Sequence, residues 1–279
     1  MRTSRHGSAE LRAVDGNPPL LGLEDGPPVE VVNPDGNARI LLVCEHASNR
    51  IPSVLHDLGL DAEARQSHVA FDPGAEPVAR HMAKALDASL ILQRFSRLVY
   101  DCNRPPDAES AMPARSEIFD IPGNHNLSAA DRDLRTEALY APFHQAIADH
   151  LDLAAATGKL PAIVTIHSFT PIFHGKKRSV ELGLLHDADQ RLANMMLALS
   201  HEQNTDMPAA RRNEPYGPED GVTHTLQRHA LPRGLLNIMI EIRNDLILNP
   251  ASQARLGDGL ARMVNQALKQ LGKSSGAAA

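Results

Sequence analysis

The chain has 279 residues, 42% hydrophobic and 22% charged, which is enough for one large domain with a full core. A net charge of −6, aromatics at 3% and no Trp argue against a nucleic-acid or anionic-membrane partner. No apolar run approaches the ~20 residues of a bilayer span. Met1 to Asp25 lacks the apolar core of a secretory signal, so the expected setting is cytoplasmic, with Cys44 and Cys102 reduced.

In chain order, residues 1–28 read as a flexible tail, because Gly, Pro and charges dominate and no period holds. A single domain is expected over 29–272, followed by a low-complexity tail at 273–279. Apolar runs at 38–44, 90–92, 162–166, 180–185 and 237–242 predict buried strands. Helical spacing predicts helices over 75–87, 128–156 with a bend at Pro142, 188–202 and 220–229. A last helix starts at Pro250, capped by Asn249, with Leu256, Leu260, Val264 and Leu268 on its apolar face. Alternating strands and helices predict a three-layer α/β/α fold around a mostly parallel or mixed sheet.

Ligands of open α/β sheets bind beyond the carboxyl ends of the strands, so polar residues there carry the most information. The first strand ends in Cys44-Glu45-His46-Ala47-Ser48-Asn49, the third in His167-Ser168. The fifth carries Glu241-Ile242-Arg243-Asn244-Asp245. Asp72 stands just before the 75–87 helix, where it either caps that helix or joins the two histidines. Two His and one carboxylate make a catalytic zinc triad that leaves a fourth position for water. Glu241 inside an apolar strand calls for a partner or a ligand, since buried carboxylates are rare without one. Arg97 and Asp101 share a face if their segment is extended, and either pair with each other or leave Arg97 for a substrate carboxylate. The 213–217 segment reads as a surface turn, and His224 and His229 as surface residues. A cysteine hydrolase using Cys44 with His46 or His167 is the rival chemistry. A non-catalytic small-molecule binding protein is the other alternative.

Together, Cys44-Glu45-His46-Ala47-Ser48-Asn49, Asp72-Pro73-Gly74-Ala75, Ser96-Arg97, Asp101-Cys102-Asn103-Arg104, His167-Ser168 and Glu241-Ile242-Arg243-Asn244-Asp245 resemble the N-formylglutamate amidohydrolase family, from about Val29 to Leu248. One motif departs: Glu45-His46-Ala47-Ser48 stands where better-known members have Pro-His-Ser-Gly. The resemblance implies a zinc-exopeptidase-like fold and hydrolysis of N-formyl-L-glutamate to formate and glutamate, a late step of histidine degradation. It also implies one zinc ion on His46, Asp72 and His167, with Glu45 as the alternative acid, and Glu241 as general base. Arg97, Asn103, Arg104 and Arg243 would bind the substrate. The alternative substrates are another N-acyl amino acid, a peptide or a cell-wall amide.

Overall fold

The computed structural model describes residues 19–202 and 207–276. In chain order its strands are β1 (Val29–Val32), β2 (Ile40–Cys44), β3 (Ser89–Gln93), β4 (Arg115–Ser116), β5 (Phe119–Asp120) and β6 (Ala162–Phe169). They continue with β7 (Ile172–Phe173), β8 (Lys176–Lys177), β9 (Leu182–Leu185), β10 (Ala210–Arg212) and β11 (Asn237–Arg243). The α-helices are α1 (Ala62–Gln66), α2 (Ala75–Leu86), α3 (Ala129–Arg135), α4 (Ala141–Ala156), α5 (Arg191–Glu202) and α6 (Pro250–Gly276).

Seven strands form one mixed, mostly parallel sheet in the order β1-β3-β2-β6-β11-β9-β10, while β4–β5 and β7–β8 are separate hairpins. β3, β2, β6 and β11 run parallel, so Cys44, Phe169 and Arg243 end along one edge. β1 and the β9–β10 pair join antiparallel at the two sides. All five expected strands form. Their continuous burial, at every residue of β2 and of β6, follows from helices covering both faces.

Residues of period two sort the core into two halves. Leu42, Leu90, Val164, Ile166, Leu184 and Ile240 face α2, α5 and α6, against Val78, Met82, Met196, Leu256, Leu260 and Val264. Leu41, Val43, Ile91, Ile163 and Met239 face α4, against Phe143, Ile147 and Leu151. Each such large apolar side chain contributes about 1.5–3 kcal/mol by leaving water. The same alternation puts His167 on the α4 face with Ile163, and Glu241 there with Met239.

Four expectations about the elements differ from what forms. Leu20 and Leu21, read as tail, are buried in the α4-side core, and the buried Asp25 carboxylate accepts the Gly22 and Ser53 amides. The adjacent Gly and Pro residues hid this short apolar anchor; residues 1–18 of the expected tail lie outside the described residues. At the other end, α6 carries on to Gly276, through most of the expected tail. The long 128–156 segment is helical throughout, but it widens into a π turn over Thr136–Tyr140 just before Pro142. Pro142 has no N–H to donate and its ring crowds the preceding turn, which favours such a widened register. The 220–229 helix is replaced by a short α-turn passing into a π turn at Leu226–Ala230.

Candidate metal centre and its cleft

Beyond the strand ends lies a cleft of about 720 Å³, open on one side, whose lining includes His46, Asp72, His167 and Glu241. β2 ends at Cys44, so Glu45 and His46 follow in a turn and are free of strand alternation. His46 consequently enters the centre, and Glu45 reaches the outer nitrogen of His167. His167 is the sixth residue of β6 and is paired in register with Glu241 of the neighbouring parallel strand. Asp72 is fixed by its backbone: its N–H donates to the His46 carbonyl, and its own carbonyl accepts from Ala75. Gly74 caps α2 at φ 81°, and a Cβ there would stand 2.7 Å from the Ile247 carbonyl oxygen, so only glycine lets the chain turn this way. The Asp72 side chain does not cap α2; it turns into the cleft.

His46, Asp72 and His167 form a buried group that could hold a metal ion. The two Nδ1 atoms are 3.2 Å apart, and Asp72 Oδ2 lies 3.2 Å from one and 2.8 Å from the other. Four ligands at zinc distances of ~2.0–2.1 Å in a tetrahedron are about 3.3 Å from one another. The far nitrogen of each ring faces another acid. His46 Nε2 hydrogen-bonds Asp101 Oδ1 at 2.8 Å, and His167 Nε2 lies 3.0 Å from Glu45 Oε2 without full alignment. Those acids favour the proton on Nε2, leaving both Nδ1 lone pairs aimed inward beside the Asp72 oxygen. Three electron-pair donors converging at about 3 Å repel unless a cation lies between them, so the donor set fits a metal.

The electrostatics agree. Burial and Arg97 push the His46 pKa down, but Asp101 and Asp72 outweigh them and raise it. Burial likewise lowers His167, yet Glu45 and Asp72 hold it well above its usual value. Burial opposes ionisation of Asp72, but His46 and His167 keep it well below the carboxylate range. The centre therefore demands positive charge, met by protons or by a cation. Glu241 is different. Burial lifts its carboxyl to about 7; Asp72 adds to the rise, and His167 and Tyr216 oppose it. Its Oε2 is buried with no hydrogen-bond partner among the described residues. Opposite it in β9 is Gly183, where a Cβ would stand 2.1 Å from the Glu214 carbonyl oxygen and 3.1 Å from the Glu241 Cβ. That missing side chain lets the 214–216 segment lie against the acid.

The other expected site residues divide. Arg97 lines the cleft, but its Nη2 donates to Asp101 at 2.6 Å and its Nη1 to Asp72 at 3.4 Å, so it serves the carboxylates. Asn103 is buried; its side chain donates to the Val222 carbonyl and accepts the Thr225 amide. Arg104 borders the cleft and donates to the Asn103 and Gly221 carbonyls. Arg243 is not among the cleft-lining residues: it pairs with Asp245 and Glu181 and reaches the carbonyls of Arg178 and Val180. Cys44 is fully buried on the α2 side of the sheet, outside the cleft, and burial raises its thiol pKa, which leaves the cysteine chemistry without a nucleophile.

Sequence reasoning missed Tyr216 and Arg178, both in the cleft wall. Tyr216 belongs to the supposed surface turn, and its ring packs 6.5 Å from that of Phe169. The usable signal was scarcity: in a chain with six Phe and three Tyr, Phe169 and Phe173 flank the approach to Arg178 directly after His167. His229 is buried rather than exposed, and His224 half-buried, because His229 bonds to His144 of α4 and His224 to Tyr140.

Residues 38–248 match the model of the family described as N-formylglutamate amidohydrolase. The chain belongs to the N-formylglutamate amidohydrolase family. Among solved structures it is similar to gene product Atu2144 from Agrobacterium tumefaciens, at 52% identity and TM-score 0.88, covering 90% of this chain and 99% of that one. It also shares its fold with the N-formylglutamate amidohydrolase from Ralstonia eutropha JMP134, at 16% identity and TM-score 0.61, covering 86% and 98%. No curated protein shows significant similarity to the chain. No described helix is long and apolar enough to cross a membrane.

Proposed function

We propose that this amidohydrolase-family chain cleaves the amide bond of a small N-acyl amino acid, such as N-formyl-L-glutamate to formate and glutamate. One zinc ion would be held by His46, Asp72 and His167. The observation that carries this reading is the inward convergence of both Nδ1 atoms and Asp72 Oδ2 beside an unpartnered oxygen of Glu241. Glu45 stands behind His167 rather than among the three donors, which favours Asp72 as the acid ligand.

Zinc in such a centre supplies Lewis acidity, acidifying water toward pKa ~7 and polarising a carbonyl. The chain supplies the rest. Glu241, in register with His167, takes the proton of the attacking water and returns it to the departing nitrogen, which would otherwise leave as a poor amine anion. Asp101 and Glu45 hold the two imidazole rings in one tautomer. Arg97 holds Asp101 and Asp72 ionised and in place. A cytoplasmic setting, with both thiols reduced, and a place late in histidine degradation go with this reading. The 720 Å³ cleft favours a second substrate reading, a larger N-acyl amino acid or short peptide, because a formyl group needs little of that space.

The test is metal content by plasma mass spectrometry, with and without His46→Ala and His167→Ala, followed by turnover of an N-acyl amino acid panel. About one equivalent of zinc is expected, lost in the double variant. Glu241→Gln should keep the metal and lower kcat by roughly 10²-fold or more. A protein that takes up no metal on reconstitution, or a Glu241→Gln variant of normal rate, would refute the reading.

A further inference from the structure

We infer that Arg178 is the carboxylate-recognition group of this cleft, a guanidinium held among Phe169, Phe173 and Tyr216 that binds a carboxylate of the substrate. This deepens the amidohydrolase reading and rests on it. The argument begins with the other guanidinium groups near the site. Arg97 is taken by Asp101 and Asp72, and Arg243 by Asp245 and Glu181. Arg178 and Arg104 are the half-buried arginines of the cleft wall that pair with no acid among the described residues.

Arg178 alone of the two is built into a seat. Its guanidinium carbon lies 4.4 Å from the centre of the Phe173 ring, 5.4 Å from Tyr216 and 5.5 Å from Phe169. Ring faces attract the cation while stripping its water and offering no competing hydrogen-bond acceptor. Among the described residues the edge N–H groups meet only one acceptor, the Thr170 carbonyl, in a long bond of 3.4 Å. A planar, partly dehydrated fork of that kind is matched by a carboxylate, which accepts two parallel bonds.

Its backbone is equally fixed. The Arg178 N–H donates to Pro171 at 2.8 Å, closing the loop that holds the β7–β8 hairpin, and Arg243 donates to the Arg178 carbonyl. Arg243 therefore positions the loop of Arg178. Tyr216 joins the seat to the chemistry, since its ring borders Arg178 and its hydroxyl lies within reach of Glu241. A carboxylate on Arg178 would thus sit beside the reacting amide. Arg115, Lys176 and Lys177 on the exposed hairpins line the same cleft and add positive field at its mouth, which steers anions inward.

The experiment compares wild type, Arg178→Met, Arg178→Lys and Arg104→Met on N-formyl-L-glutamate and on its α-amide and side-chain amide. In parallel, titration calorimetry measures glutarate binding by the same metal-loaded proteins. Arg178→Met should retain its metal and raise KM for N-formyl-L-glutamate roughly 10- to 100-fold, with a smaller change in kcat. Arg178→Lys, which keeps the charge and loses the fork, should fall between and serves in its place if the Met variant does not fold. The penalty should vanish for the one amide that lacks the carboxylate Arg178 holds, which tells the α-carboxylate from the side-chain carboxylate. An unchanged KM in Arg178→Met, or the loss appearing in Arg104→Met instead, overturns the assignment while amide hydrolysis by wild type stands. If wild type hydrolyses none of the three, N-formyl-L-glutamate fails separately as the substrate. Glutarate binding then decides for Arg178, by its loss in Arg178→Met or by equal or absent binding in both.

Discussion

His46 and His167 at the sheet edge and His144 and His229 under α4 are equally buried, at 1–3% exposure, yet their electrostatics are opposite. Burial pushes all four toward the neutral form. Around the first pair, Asp72, Asp101 and Glu45 overcome it. Around the second no acid among the described residues touches the rings. His144 Nε2 donates to the Cys102 carbonyl at 2.9 Å, so its Nδ1 accepts from His229 Nε2 at 2.8 Å, and Arg228 adds positive charge nearby. Burial, with the charges of His229 and Arg228, takes His144 down to about 2, and burial, with Arg228 and Arg233, takes His229 to about 3. Depth alone therefore does not make a cation site. Placement of carboxylates does.

The largest expected break in that contrast is at Asp72, the acid that faces both Nδ1 atoms. Asp72→Asn keeps the shape and removes the charge; metal retention and hydrolysis should both drop to background, read by mass spectrometry and turnover. A variant that still holds its metal would move the ligand role to another acid. Asp101→Asn should act through His46, weakening metal affinity roughly 10- to 100-fold in a chelator competition while leaving the centre assembled. An affinity equal to wild type would show that His46 needs no carboxylate behind it. Gly183→Ala tests the packing that brings the 214–216 segment to Glu241. The added methyl should cost about 1–3 kcal/mol of stability in denaturant melts, and an undisturbed melt would show that the segment shifts freely.

Much of this was legible in the sequence wherever one strand or one motif carried it. Parallel apolar runs gave β2, β6 and β11, and strand-end polar residues gave His46, His167 and Glu241, because a period of two and a common edge suffice. The partners were less legible. Asp101 reaches His46 across 55 residues and Glu45 reaches His167 across the sheet, distances that no local period encodes. Glu45 was further obscured by strand alternation, which ceases one residue earlier, at Cys44. Arg243 shares a face with Glu241 in the strand, but β11 ends at Arg243, where the acids Glu181 and Asp245 capture it. His229 looked like a surface residue because its burial depends on α4 arriving from 85 positions away.

The mildest effect is confined to acid and belongs to the second histidine pair. An unfolded histidine titrates near 6.5, whereas His144 and His229 are held at about 2 and 3 when folded. The unfolded chain therefore binds more protons below pH 6.5, and stability falls as pH falls. The full contribution is present above about 6.5 and drains away toward the folded values. At pH 5 each ring should have lost about 2 kcal/mol relative to neutral pH. His144→Gln can still donate to the Cys102 carbonyl but cannot take up that proton. Its stability at pH 7.5 should be lower than wild type, since the bond to His229 is disturbed, but its further loss between pH 7.5 and pH 5 should shrink by about 2 kcal/mol. Urea melts at the two pH values measure this directly. Equal slopes in wild type and variant would mean that the buried pair is charged or open to water, and the contrast with the metal centre would then rest on geometry alone.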